Sequence, residues 1–217
     1  DLDQILDDVD LVMVHEWNDP SFVRRIGRHR RRKTGYRLLF HDTHHRAVTD
    51  ERTIEAFDLY NFDGVLVYGE SLRRVYIEKG WAHHVWTWHE AADTRIFYPY
   101  SSCLPVNDVV WIGNWGDDER SSELEEFLID PIRSLSLRGR AYGVRYPASA
   151  EKAFAMAGIE YAGWLPNFDA PAAFAQARVT VHIPRRIYGR VLTGIPTIRV
   201  FEALACGIPL ICAPWRD

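Results

Sequence analysis

Residues 195–215 decide the fold of this chain, and they read Ile-Pro-Thr-Ile-Arg-Val-Phe-Glu-Ala-Leu-Ala-Cys-Gly-Ile-Pro-Leu-Ile-Cys-Ala-Pro-Trp. Pro196 suits the first turn of a helix, where its missing N–H is not needed, and Gly207 suits the left-handed residue that ends one. The spacing of apolar residues between them predicts a helix over residues 197–205. The residues predicted to be buried are Ile198, Phe201, Leu204 and Ala205. The apolar run at residues 209–212 then predicts a buried parallel strand, which is typical of an α/β fold.

The other face of the predicted helix carries a charged pair. Arg199 and Glu202 are three residues apart, so their side chains lie next to each other on a helix. Two interpretations are open at this point. The pair is either a surface ion pair on a capped helix or part of a binding site.

The segment Phe-Glu-Ala-Leu-Ala-Cys-Gly-Ile-Pro-Leu-Ile, residues 201–211, resembles the nucleotide-sugar site of GT-B glycosyltransferases. In those enzymes a short helix with a Glu and a following strand hold the donor nucleotide. The resemblance implies that Glu202 accepts hydrogen bonds from the ribose hydroxyls. Many retaining members carry a second Glu eight positions earlier, whereas this chain has Gly194 there.

Composition bounds the class of protein. The chain has 217 residues, of which 47% are hydrophobic, and its formal net charge is -4, so it is too apolar for disorder and shows no global affinity for nucleic acid or an anionic membrane. It has no apolar run long enough to span a membrane. Cys103, Cys206 and Cys212 share no metal spacing, which favours reduced thiols, no metal site and a cytoplasmic location. The start without Met and the end directly after a predicted strand suggest that both ends are truncated.

Alternating strand and helix patterns predict two α/β domains. We expect a partial N-terminal Rossmann-like domain over residues 1–99, a linker over residues 100–107, and a partial C-terminal Rossmann-like domain over residues 108–217. Residues 89–99 also resemble the hinge of GT-B proteins.

Titratable groups follow the first two predicted strands of the N-terminal domain. His15 and Glu16 follow the strand at residues 10–14, and Asp42 and His44 follow the one at residues 36–40. Open α/β sheets bind ligands at the carboxyl ends of their strands. These four residues are the candidates for orienting or deprotonating an acceptor hydroxyl. The alternatives are a zinc site, for which the spacing is weak, and a helix-entry loop with satisfied side chains.

The C-terminal domain supplies the candidates for donor binding. Gly113, Asn114 and Trp115 lie between a predicted strand and a helix, where glycine lets backbone N–H groups approach a phosphate. Arg185 and Arg186 follow a further strand and are candidates for the diphosphate, because guanidinium binds phosphate bidentately. The alternative is an exposed basic loop. Arg199 and Glu202 complete this set.

The motifs together resemble the bacterial CgeB-like glycosyltransferase family. The motifs are His-Asp-Thr-His-His (41–45), Gly-Asn-Trp-Gly-Asp-Asp-Glu-Arg (113–120), Tyr-Gly-Val-Arg-Tyr-Pro (142–147), Gly-Trp-Leu-Pro-Asn (163–167) and the segment quoted first. The resemblance implies a GT-B fold, with two parallel Rossmann-like sheets facing a cleft. It also implies a metal-independent glycosyltransferase of the hexosyltransferase type (EC 2.4), whose substrate is a nucleotide-diphosphate sugar and which needs no cofactor.

Two other functions are compatible with the sequence: a catalytically silent GT-B-fold binding protein and a nucleotide-sugar epimerase. The sequence leaves open the sugar, the base, the stereochemistry, the oligomeric state and whether the acceptor is a glycan, a lipid, a protein or a small molecule.

Overall fold

The computed structural model describes residues 2–33, 35–100, 104–116 and 118–212. The chain forms two compact units. Among the described residues, the first unit runs as far as His89 and includes residues 190–195. The second unit runs from Glu90 to Gly189 and resumes at Pro196. Cys103, and with it part of the predicted linker, lies outside the described residues.

The first unit alternates strands with helices. Its elements are α1 (Leu2–Ile5), β1 (Leu11–His15), α2 (Pro20–Arg32), β2 (Arg37–Asp42), α3 (Arg46–Thr49), α4 (Glu51–Phe57), a 3-10 turn (Leu59–Asn61), β3 (Gly64–Val67), α5 (Glu70–Lys79) and β4 (Val85–Thr87). The strands form one parallel sheet in the order β1-β2-β3-β4. Asp19 caps α2 by accepting a hydrogen bond from the Ser21 N–H, and Pro20 follows it at the first helical position.

One face of this sheet forms the core of the first unit. Alternate residues of β2 point to that face, and Leu38 and Phe40 are fully buried there. The Phe40 ring lies 4.9 Å from the ring of Phe57 on α4. Because the buried positions repeat every second residue, the register of the sheet is fixed by the core.

The second unit also alternates strands with helices. Its elements are β5 (Asn107–Ile112), α6 (Ser121–Leu124), a π-helical turn (Glu125–Ile129), α7 (Asp130–Ser134), β6 (Gly139–Tyr142), α8 (Ala148–Ala157), β7 (Ile159–Tyr161), a 3-10 turn (Asn167–Asp169), α9 (Ala170–Ala175), β8 (Ala177–His182), α10 (Arg186–Arg190), α11 (Ile198–Ala205) and β9 (Leu210–Cys212). All its strand pairs are parallel, in the order β7-β6-β5-β8-β9.

The strand order of the second unit reverses once. The chain builds β6 and β7 on one side of β5 and then crosses back to place β8 on the other side. The point between the carboxyl ends of β5 and β8 is therefore a topological switch point, where open α/β sheets bind their ligands. Hydrophobic side chains pack on both faces of this sheet, including Val109 and Leu128 on one side and Val110 and Phe174 on the other.

The predicted buried face of α11 is wrong. Val200, Glu202 and Ala203 are the buried residues of this helix, whereas Leu204 is 59% exposed and Phe201 is half-buried. Apolar spacing selected the face opposite Arg199 and Glu202. The sheet instead contacts the face that carries Val200 and Ala203, and the buried Glu202 carboxylate contacts Asn167 and Arg199.

The predicted buried strand at residues 209–212 is an edge strand. Among the described residues β9 pairs only with β8, and Ile211 and Cys212 are exposed. The parallel direction is confirmed, while the burial is not. Gly207 ends α11 as predicted, with φ of 71° and its N–H donating to the Leu204 carbonyl. Residues 213–215 of the segment lie outside the described residues.

Candidate functional site

Arg120 occupies the switch point of the second unit. Its Nη1 donates a hydrogen bond to the carbonyl of Ile183, the residue after β8, at 2.8 Å. The guanidinium carbon lies 5.3 Å from the ring centroid of Trp111 on β5. Its Nε is buried and has no hydrogen-bond partner among the described residues. Burial lowers the pKa of Arg120 to about 10, and the charge of Arg185 adds to this shift.

Arg120 was missed by the sequence analysis. It belongs to the Gly-Asn-Trp-Gly-Asp-Asp-Glu-Arg motif, where it follows three acidic residues. Arg120 is identified by its position beside the ends of β5 and β8. That position depends on the order of the strands, which no local pattern in the sequence encodes.

The predicted glycine loop follows β5. Asn114 accepts a hydrogen bond from the Val144 N–H through Oδ1 at 3.0 Å, so its side chain joins this loop to the one after β6. The two loops touch closely: a Cβ on Gly143 would lie 2.0 Å from the carbonyl oxygen of Gly113. Trp115 packs its ring against Tyr146, 5.6 Å away. The residues predicted here as a ligand loop are therefore also held by structural contacts.

The two predicted diphosphate arginines are engaged with carboxylates. Arg186 binds both oxygens of Glu123 at 2.7 and 2.8 Å, and Arg185 lies 3.1 Å from Glu119. The bidentate contact with Arg186 lowers the pKa of Glu123 to about 2. Each arginine would have to exchange a carboxylate for a phosphate in order to bind one.

Glu202 is the buried acid of α11. It is 3% exposed and accepts a hydrogen bond from Asn167 Nδ2 at 3.1 Å. Arg199, one helical turn earlier, lies 2.5 Å from its other oxygen and also donates to Asn167 Oδ1 at 3.3 Å. Burial raises the pKa of Glu202, while Arg199 and Asn167 oppose this shift. The predicted pair exists, and it joins the buried Glu202 to the half-buried Arg199 and the exposed Asn167.

Two further groups lie beside α11. The carboxylate of Glu90 accepts a hydrogen bond from the Ile198 N–H, and burial together with the charge of Glu202 raises its pKa. The His182 Nε2 lies 3.0 Å from the Thr197 hydroxyl, which joins the end of β8 to the start of α11. Burial, with a contribution from Arg120, lowers the pKa of His182 to about 4. His182 is thus bound to the residue that precedes α11 and lies near enough to Arg120 for that charge to affect its pKa.

The four acceptor candidates of the first unit lie at the carboxyl ends of β1 and β2, which are neighbours. Glu16 is fully buried, and His15 Nδ1 lies 2.5 Å from its Oε2. Thr43 donates to its Oε1 at 3.2 Å. Burial and the charge of Asp42 raise the pKa of Glu16 to about 7, whereas burial lowers the pKa of His15. Both shifts disfavour the charged form of the group concerned, because both side chains are taken out of water.

Asp42 is the second buried carboxyl group of this cluster. The Tyr76 hydroxyl donates to its Oδ2 at 2.7 Å, and the His44 N–H donates to its Oδ1 at 2.9 Å. Burial raises the pKa of Asp42 to about 6. Asp42 and His44 are thus joined through the backbone N–H of His44.

The described residues contain no group of three or more His, Cys, Asp or Glu side chains placed to hold a metal ion. None of the helices in that part of the chain has the length and apolar composition that crossing a membrane requires.

The family comparison covers the larger part of the second unit. Residues 120–217 match a family model described as glycosyl transferase-like. This part of the chain is therefore a glycosyltransferase-like domain. No curated protein matches the chain.

Solved structures share the fold. Sucrose-phosphate synthase from Thermosynechococcus elongatus is 15% identical, with a TM-score of 0.65 over 93% of this chain and 55% of that one. TarM from S. aureus, in complex with fondaparinux, α-GlcNAc-glycerol and UDP, is 11% identical, with a TM-score of 0.59 over 82% of this chain and 37% of that one. An α-glucosyltransferase in complex with UDP and a DNA 13-mer is 12% identical, with a TM-score of 0.61 over 96% of this chain and 62% of that one.

These likenesses show the fold class, which is the α/β GT-B class of two units with parallel sheets. The chain spans about half the length of the solved proteins that it matches.

Proposed function

We propose that this protein transfers a sugar from a nucleotide-diphosphate sugar to the hydroxyl group of an acceptor, without a metal ion, and that it is a CgeB-like hexosyltransferase. The observation that carries the proposal is the buried Glu202 carboxylate on α11, with Arg199 and Asn167 as its partners. It stands in the unit whose sequence matches the glycosyltransferase-like model.

Glu202 is suited to hold the ribose. A carboxylate offers about four lone-pair positions, and Asn167 and Arg199 engage one position on each oxygen. The remaining positions can accept hydrogen bonds from two neighbouring hydroxyls. A charged acceptor contributes roughly 1.5–3 kcal/mol to such a bond, which is enough to determine nucleotide affinity.

Arg120 and Arg185 are suited to hold the diphosphate. Arg120 has a buried Nε without a partner among the described residues, and the charge of Arg185 lies near enough to lower its pKa further. An anion between them would relieve that repulsion. Positive charge fixed at this point would also stabilise the charge that grows on the leaving diphosphate, which is the contribution a metal ion makes in other enzymes.

Glu16 is suited to act on the acceptor. In the proposed reaction an acceptor oxygen forms a bond to the anomeric carbon, the bond from that carbon to the diphosphate breaks, and the acceptor proton passes to a base. A carboxyl group with a pKa of about 7 is matched to that task at neutral pH. His15 lies against Glu16 and can share the proton.

The catalytically silent binding protein is the second candidate. Its support is Gly194, which stands where many retaining relatives carry a Glu, together with the pairing of Arg185 and Arg186 to carboxylates. Such a protein would bind a nucleotide sugar and leave it intact.

Release of nucleoside diphosphate distinguishes the two functions. The chain is incubated with UDP-glucose, UDP-N-acetylglucosamine, GDP-mannose, dTDP-rhamnose and ADP-glucose, with a mixture of methyl glycosides as acceptors. The proposal predicts release from one of the donors, and loss of release in Glu16→Gln. Binding of a donor without any release would instead support the silent protein.

A further inference from the structure

Exposed aromatic rings line the carboxyl edge of the sheet in the first unit. Trp17 follows β1 and is 63% exposed, and Trp88 follows β4 and is 49% exposed. A histidine ring packs against each tryptophan. The ring centroid of His44 lies 5.2 Å from that of Trp17, and the ring centroid of His41 lies 5.2 Å from that of Trp88. We call Trp17, His44, His15, His41 and Trp88 the aromatic edge.

Trp17 is held in place although it is exposed. The guanidinium carbon of Arg46 lies 4.6 Å from the centroid of its ring, and Arg46 Nη1 donates to the Glu16 carbonyl at 3.0 Å. A cation over an indole ring is favourable, so Arg46 fixes the orientation of the ring. A ring that is already ordered loses little side-chain entropy when a ligand contacts it.

The side chains next to Trp17 are polar. Glu16 precedes it in the chain, and Asn18 follows it and donates from Nδ2 to the carbonyl of His15 at 2.8 Å. Thr43, which directly follows the neighbouring strand β2, donates a hydrogen bond to Glu16. A fixed flat ring beside hydroxyl, amide and carboxyl groups matches a sugar, which has an apolar face of C–H groups and a rim of hydroxyls. An acyl chain would require an aliphatic groove instead.

We propose that the aromatic edge binds the sugar ring of a carbohydrate acceptor, with Trp17 as the stacking surface and Glu16 beside the hydroxyl that reacts. This inference rests on the proposed function, because it names the acceptor of that transfer. It makes the acceptor a glycan and not an acyl chain.

Ligand-detected NMR on the full chain tests the inference. The probes are methyl β-glucoside, methyl β-galactoside, methyl α-mannoside, methyl α-rhamnoside and, as an aliphatic alcohol, octanol. The variants are Trp17→Ala, Trp17→Phe and Tyr60→Ala, the last of which removes a ring that is 70% exposed elsewhere in the same unit. UDP, GDP, dTDP and ADP are titrated into each sample.

We expect at least one glycoside to bind. Trp17→Ala should weaken its binding about tenfold, Trp17→Phe by less, and Tyr60→Ala not at all. Binding of octanol alone, equal glycoside binding in Trp17→Ala, or no binding of any glycoside would overturn the inference. Nucleotide binding in the same samples separates this result from the proposed function: a chain that binds a nucleotide and no glycoside refutes the carbohydrate acceptor only.

Discussion

The guanidinium of Arg120 donates a hydrogen bond to the carbonyl of Ile183, so a buried positive charge is fixed where β8 ends beside β5. Arg186, which is three residues after Ile183 in the chain, is bound by both oxygens of Glu123. This difference in pairing leads to a prediction about which of the two arginines binds the diphosphate.

Arg120→Ala should weaken binding of the nucleoside diphosphate about tenfold to a hundredfold, because it removes a charged donor from the switch point. Arg186→Ala should weaken it by less, since Glu123 already engages that guanidinium. Isothermal titration calorimetry measures both values. Arg120→Lys keeps the charge but loses the planar guanidinium, so its affinity should lie between those of the wild type and Arg120→Ala. The exposed Arg178→Ala is the control. A larger loss in Arg186→Ala than in Arg120→Ala would contradict the assignment.

Glu16→Gln should stabilise the protein at pH 8 and not at pH 4. The pKa of Glu16 is raised from 4.5 to about 7 in the folded chain, so the folded state holds the proton more tightly than the unfolded state. The contribution of Glu16 to stability is therefore greatest below pH 4.5 and falls as the pH rises towards 7. The difference from Glu16→Gln should reach the order of 2–3 kcal/mol above pH 7.

Urea unfolding at several pH values measures this difference. Glu55→Gln, at an exposed site on α4, is the matched control and should leave the pH dependence unchanged. Wild-type and Glu16→Gln curves that stay parallel from pH 4 to 8 would contradict the raised pKa.

Tyr76→Phe should destabilise the chain by about 1–3 kcal/mol at pH 8, because it leaves a buried carboxylate oxygen of Asp42 without its donor. The loss should shrink below pH 6, where Asp42 is protonated. Urea unfolding at pH 8 and pH 5 tests this, with the exposed Tyr60→Phe as control. An equal loss at both pH values would mean that the hydroxyl matters for packing and not for the charge.

Gly143→Ala should destabilise the second unit by more than about 2 kcal/mol, because the new Cβ would meet the Gly113 carbonyl at 2.0 Å and φ is 146°. Gly35→Ala has nothing within 4 Å of its Cβ and serves as control. Thermal unfolding compares the two. A tolerated Gly143→Ala would show that the loops after β5 and β6 can separate.

The strand and helix pattern could be predicted from sequence because each element has its own periodicity and ends. Gly207 ends α11 and Pro20 begins α2 for reasons that are local to each residue. The exposure of Ile211 could not be predicted in the same way, since an edge strand and a central strand can share one apolar pattern.

The candidate site was predictable in part. Arg199 and Glu202 were found because helical spacing puts them together. Arg120 was not found, since its role depends on which strands are neighbours. The pairing of Arg186 with Glu123 was also hidden, because these residues are 63 positions apart in the sequence.

Calorimetric titration of the chain and of Glu202→Gln with UDP, GDP, dTDP and ADP tests the central claim most directly, with exposed Glu160→Gln as the matched control. We predict that one nucleotide binds, that Glu202→Gln weakens it about tenfold to a hundredfold, and that Glu160→Gln leaves it unchanged. A folded chain that binds none of the four, or that binds one equally well in Glu202→Gln, would contradict the claim that α11 holds a nucleotide sugar.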